Sequence, residues 1–188
     1  MSARDEILEK LRAAKPEPAE LPDLARFAPG RAFDAVELFQ KRVVEVGGRM
    51  ARSLEEIPEL AAARKVVSLT PEFAGNVDLS GVTDPHQLHD VDFCVVRAEL
   101  GVAENGACWI TEHGAALRAV CFLTQHLAVL VDPASLVHDL HQAYERISLR
   151  PGFALFLSGP SKTADIEQAL VIGAHGARSC TVVLEPRR

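Results

Sequence analysis

Residues 126–131 read His-Leu-Ala-Val-Leu-Val, apolar at every position after the first. A run of strand length without polar alternation has no face to offer water, so it suits a central parallel strand covered on both sides. Parallel neighbours need crossover elements, and the chain carries the periodicity for them. Val36, Phe39, Val43 and Val46 recur at helical spacing before Gly47-Gly48, which predicts a helix over 33–46. A strand near 49–52, a helix over 54–64 and a strand over 65–69, ended by Pro71, form the next unit. Leu136, Leu140, Ala143, Tyr144 and Ile147 predict a helix over 136–147. The runs 93–97, 100–103 and 107–111 are short and β-like, and 115–122 is irregular or helical. Glu104-Asn105-Gly106 marks a hairpin turn, because Asn-Gly suits the left-handed positions of a tight turn. The pattern is α/β: a parallel-rich sheet with helices on both faces and a β-hairpin insertion.

At 188 residues, 48% hydrophobic and 24% charged, the chain suffices for one well-buried domain. Ser2 as N-cap, Asp5 in the first turn and Ile7, Leu8 and Leu11 on one face predict a short helix over 2–14. Pro16, Pro18, Pro22 and Pro29 make 15–31 an extended arm. The expected organisation is an N-terminal helix and Pro-rich arm over 1–32 and an α/β domain over 33–188. No apolar run reaches about 18 residues and the start is charged and amphipathic, which points to a cytoplasmic protein without membrane insertion. A net charge of −6 with scattered arginines argues against nucleic acid as a partner. Cys94, Cys108, Cys121 and Cys180 form no CxxC pair, and Cys94, Cys108 and Cys121 each sit in apolar, strand-like surroundings, so buried reduced thiols are the reading rather than metal or cluster ligands.

The segment 153–185 reads as strand, polar loop, helix, Gly-rich turn and strand. Its apolar run 153–157 stops at Gly159-Pro160, and Ile166, Ala169, Leu170 and Gly173 follow at helical spacing before 181–184 resumes a strand. In a βαβ unit Ser158, Gly159, Ser161, Lys162 and Thr163 would surround a helix N-terminus, whose free N–H groups favour a carboxylate or phosphate. The loop is not a P-loop, since Phe156 and Ser161 stand where its glycines belong. An ordinary N-cap with a solvated lysine explains the same residues. Asp165 and Glu167 suit the first helical turn, and Asp165 could also neutralise Lys162 or orient a ligand. Gly173-Ala-His175-Gly176 marks the helix end, with His175 as a turn residue or a ligand.

Asn105 and Gly106 are explained by the turn, but Glu104 is not; a carboxylate at a hairpin tip facing the strand ends could act as nucleophile or base. His86-x-x-His89 and His138-x-x-His141 lack a third ligand, so no metal site is assigned. Glu112 and His113, beside Trp109, suit a solvated loop or the rim of the same cleft.

Through Ser158-Gly-Pro-Ser-Lys-Thr-Ala-Asp-Ile-Glu167, Gly173-Ala-His-Gly176 and Val102-Ala-Glu-Asn-Gly106, the chain resembles the LUD-domain family, in order from about 33 to 185. The resemblance implies a three-layer α/β fold similar to the NagB/RpiA/CoA-transferase class. It also implies a role in a three-component L-lactate oxidation system whose iron–sulfur clusters lie in partner subunits, with no cofactor bound by this chain. Many members carry Glu-Thr-Gly where Glu104-Asn105-Gly106 stands. Family I CoA-transferases carry a nucleophilic glutamate in a Ser-Glu-Asn-Gly context, which resembles Ala103-Glu-Asn-Gly106. Those enzymes use two such domains, and no separate Gly-rich oxyanion loop is found here. The readings left open are an anion-binding subunit, a structural or regulatory subunit, and an acyl-transfer or sugar-phosphate enzyme using Glu104.

Overall fold

The computed structural model describes residues 2–16, 19–20, 34–111, 114, 117–148, 152–163 and 170–187. The chain divides into two units, residues 1–32 and 33–188. In the first, Ser2 and Asp5 form a reciprocal capping box that starts α1 (Ala3–Ala13). Ile7 and Leu11 on this helix are exposed. Most of the expected Pro-rich arm, with Pro18, Pro22 and Pro29, lies outside the described residues.

In the second unit Asp34 caps α2 (Ala35–Glu45), accepting from the N–H groups of Val36 and Glu37 at 2.7 and 3.1 Å. The helix buries Phe39 and Val43, one turn apart on one face. It closes in a Schellman motif: Gly48 N donates to Val43 O and Gly47 N to Val44 O, with Gly47 at φ +85°. The helix expected over 54–64 is split. A 3₁₀ turn at Leu54–Glu56 precedes α3 (Pro58–Ala62), because Pro58 cannot continue a preceding helix but suits the first turn of the next.

Five parallel strands, β1 (Arg49–Ala51), β2 (Val66–Ser68), β3 (Phe93–Arg97), β6 (His126–Val131) and β11 (Ser179–Leu184), lie in the order β1-β11-β6-β3-β2. The apolar run that demanded a central strand is β6, paired with β3 on one side and β11 on the other. Side chains alternate across it. Phe93, Val95, Ala128, Leu130 and Val183 pack with Leu54, Ile57 and, from α3, Leu60. Cys94, Val96, Leu127, Val129, Cys180 and Val182 face the other way, toward Phe39 and Val43 of α2 and Val120 and Cys121 of α4 (Val120–Leu123). Burying side chains of this size contributes about 1.5–3 kcal/mol each.

A second sheet thickens that other side. The strands β4 (Leu100–Val102), β5 (Ala107–Thr111), β7 (Leu136–Val137) and β8 (Ala154–Leu157) lie in the order β7-β4-β5-β8, with β4–β7 parallel and the other pairs antiparallel. Cys108 and Ile110 join the core shared with the parallel sheet, whereas Val102, Ala107 and Trp109 face α5 (Leu140–Arg146). The expected hairpin is present as β4–β5, but it builds a mixed sheet rather than decorating the parallel one. The expected simple three-layer arrangement therefore gains a sheet.

Two sequence expectations are corrected. The helix read from 136 starts at Leu140: Leu136-Val137 pairs with β4, and Asp139 caps the helix by accepting from Gln142 N at 2.8 Å. The βαβ reading of 153–185 also fails, because β8 belongs to the mixed sheet and β11 to the parallel sheet. Between them Lys162–Thr163 forms β9 and Val171–Ile172 forms β10, an antiparallel ribbon in which β-branched residues pair across strands. Lys162 and Thr163 are therefore strand residues. Positions 165–169, with Asp165 and Glu167, which the sequence pattern assigns to a helix, lie outside the described residues, as do Glu112 and His113.

Candidate functional site

The hairpin turn and the loop after β8 meet at the end of α2. Ser158 Oγ donates to the Asn105 carbonyl at 2.9 Å, while Asn105 Oδ1 accepts from Ala107 N at 3.0 Å and fixes the turn. Gly106 (φ +64°) and Gly159 (φ +70°) let two backbones close on the helix: a Cβ at Gly106 would lie 2.8 Å from Val43 N, and one at Gly159 2.7 Å from Val46 O. Lys162 Nζ donates to the Val46 carbonyl, placing a cation at the negative end of the α2 dipole. Ser161 holds the loop through its backbone, its N–H donating to Ala177 O and its carbonyl accepting from Gly173 N, both at 3.0 Å. Thr163 Oγ1 donates to Val171 O at 3.4 Å across the ribbon. His175 is exposed in the turn that follows, beside Gly176, where a Cβ would come within 3.0 Å of Ser161 Cβ.

Ser158, Gly159, Lys162, Asn105 and Gly106 are thus brought together, but their polar groups are engaged with backbone carbonyls and with the close of α2. One bond to Val46 leaves the exposed Lys162 ammonium two further N–H donors for an anion at this loop. Glu104 is engaged elsewhere. Its Oε1 accepts from Leu140 N at 2.8 Å, and its own N–H donates to His138 O at 2.9 Å. With Asp139 it places two carboxylates at the first turn of α5, where negative charge is favourable. Of the histidine pairs, His86 Nδ1 meets Asp84 Oδ1 at 2.7 Å and His89 Nδ1 meets His86 O at 2.9 Å, both within a local capping structure.

The charged groups that sequence reasoning missed lie at the two ends of the parallel sheet. At the carboxyl end, Arg97 closes β3 and pairs with Glu72, Nε to Oε1 at 2.7 Å, with side-chain exposures of only 7% and 13%. Arg97 Nη1 donates to Glu185 O at 3.2 Å, Nη2 is buried without a partner, and Thr70 Oγ1 donates to Glu72 Oε2. Burial opposes ionisation of Glu72, but the Thr70 hydroxyl, a backbone N–H and the Arg97 guanidinium together hold its carboxyl below the ordinary range. At the amino end, a cavity of about 350 Å³ is lined by charged groups from segments far apart in the chain, including Glu59, His126 and Arg178. The only local signal for it was a histidine opening an otherwise apolar central strand.

The four thiols are buried in one core cluster, on β3, β5, α4 and β11. Burial raises Cys108 well above its ordinary value and pushes Cys180 up to about 12, so neither ionises near neutral pH. Among the described residues no helix is long and apolar enough to cross a membrane.

Residues 37–184 match the model of the LUD domain. The chain is 31% identical over 104 residues to Lactate utilization protein C of Halalkalibacterium halodurans, covering 51% of this chain and 45% of that protein. It is 28% identical over 108 residues to the protein of the same name from Shouchella clausii, covering 54% and 47%. To YkgG of Escherichia coli it is 32% identical over 103 residues, covering 51% and 45%. The chain spans about half the length of these curated relatives. Among solved structures, a DUF162-family protein from Deinococcus radiodurans shares the fold with a TM-score of 0.57 at 16% identity, covering 83% of this chain and 99% of that one.

Proposed function

Because this chain belongs to the LUD-domain family, we propose that it is a LutC-like subunit of a cytoplasmic system that oxidises L-lactate with iron–sulfur partner proteins. The observation that carries this is the match over residues 37–184 together with the similarity to two proteins named for lactate utilisation. The likeness to the NagB/RpiA/CoA-transferase class belongs to the same reading. So does the division of labour in which partners hold the clusters. It is supported by four thiols that sit deep in the core, of which Cys108 and Cys180 are kept protonated by burial. A small carboxylate or phosphate at Ser158–Thr163 is compatible with the reading, met by the two Lys162 N–H groups that Val46 does not use.

Acyl transfer through Glu104 is the weaker reading, because that carboxylate is held by the first N–H of α5 and a nucleophile needs a free lone pair aimed at its substrate. Deleting the coding sequence in its native host tests the proposal: growth on L-lactate as sole carbon source should be lost and restored by the chain in trans, with growth on pyruvate unaffected. Unimpaired growth on L-lactate would contradict it.

A further inference from the structure

We infer that the cavity at the amino-terminal edge of the parallel sheet binds a small hydroxycarboxylate. All the strands start on this side, so residues far apart in sequence converge: Arg64 precedes β2, Asp92 precedes β3, His126 opens β6 and Arg178 precedes β11, with Glu59 contributed by α3. The groups there have complementary demands. Glu59 Oε1 is paired with Arg49 at 2.8 Å, and Oε2 is closed off from solvent, so this carboxylate forms part of the wall rather than an acceptor for a ligand. Asp92 is already satisfied, its Oδ2 accepting from Arg64 N and Lys65 N at 2.9 Å each. Arg64 and Arg178 are exposed, and among the described residues neither guanidinium enters an ion pair, so two cations border the cavity with capacity for a carboxylate.

His126 is positioned rather than free. Its ring stacks near Phe93, with centroids 6.3 Å apart and planes inclined by 29°, and Nδ1 meets Ser179 Oγ at 2.8 Å. Nε2 is left as the ring atom available to a ligand. Ala62 and Ala63 line the remaining wall with small side chains, leaving about 350 Å³ for a compact molecule. A ligand that offers a carboxylate to the arginines and a hydroxyl to His126 Nε2 satisfies both demands; a simple carboxylate such as propionate satisfies only the first. The donor–acceptor pattern stands on its own geometry, whereas L-lactate as the first probe rests on the proposed function.

Calorimetric titration of the full chain with L-lactate, glycolate, propionate and inorganic phosphate tests the assignment. A hydroxycarboxylate should bind saturably, with propionate weaker by about tenfold or more, one charge-assisted hydrogen bond being of that order, and phosphate binding more tightly than any hydroxycarboxylate would overturn the assignment. Arg178→Gln and Arg64→Gln, both surface changes expected to leave Tm unmoved, should each weaken binding about tenfold, while Lys162→Ala should leave it intact. Binding of glycolate without L-lactate would keep the cavity and remove the lactate reading. Absence of saturable binding by any hydroxycarboxylate would overturn the inference. So would binding unaffected by both arginine variants, or binding lost in Lys162→Ala, which would move the ligand to the Ser158–Thr163 loop.

Discussion

Replacing Glu72 by Ala isolates the buried guanidinium of Arg97. In the folded protein the pair is joined at 2.7 Å with both side chains almost out of solvent, and Arg97 Nη2 already lacks a partner. Removing the carboxylate leaves a charge that neither water nor a neighbouring anion in direct contact can neutralise, an arrangement that costs about 3–5 kcal/mol. At this chain length the loss corresponds to a fall in Tm of roughly 6–20 °C. Urea denaturation followed by circular dichroism should therefore show a lower midpoint with an unchanged slope. The double variant Glu72→Leu/Arg97→Met, which removes both charges and keeps volume, should recover most of the loss. The folded-state pKa of Glu72 is lowered, so its contribution is present above the ordinary glutamate value and is lost as pH falls through the lowered one. The gap between the native chain and Glu72→Ala should accordingly narrow in acid. A single-variant loss below about 1 kcal/mol, or a double variant no better than the single, would mean that the Arg97 charge is not stranded by loss of Glu72.

Glu104→Gln keeps an oxygen for Leu140 N–H and should change stability by less than about 0.5 kcal/mol, whereas Glu104→Ala should lose about 1 kcal/mol, measured by the same denaturation. Mass spectrometry after incubation with acyl-CoA should show no adduct on Glu104, and a hydroxylamine-sensitive adduct there would revive the acyl-transfer reading. Gly106→Ala combines a left-handed backbone with a Cβ 2.8 Å from Val43 N, so it should destabilise by about 2–4 kcal/mol; a loss under about 1 kcal/mol would mean that α2 can yield.

Much of this architecture is local and was therefore legible. The run at 126–131, the spacing of Phe39 and Val43, and Gly47-Gly48 each identify an element whose residues decide it alone. Strand pairing is not local. Nothing within 154–157 distinguishes a parallel neighbour from the antiparallel partner of β5 that it is, and Leu136-Val137 fits a helical face as well as a two-residue strand. The Lys162–Thr163 ribbon was hidden because two polar residues carry no periodicity. The candidate loop and hairpin were legible as neighbours through family motifs, but their use in capping α2 and α5 depends on packing between distant segments. The amino-edge cavity draws single residues from positions 59 to 178, and no spacing rule joins them.

Reconstituting the proposed lactate-oxidising system from purified iron–sulfur partners, and following lactate-dependent reduction of an artificial acceptor with and without this chain, decides whether the chain works as a subunit of it. Omitting the chain should abolish or severely slow reduction, and adding it back should restore the rate in proportion to its concentration until the partners are saturated. An undiminished rate in its absence would contradict the assignment as a working subunit.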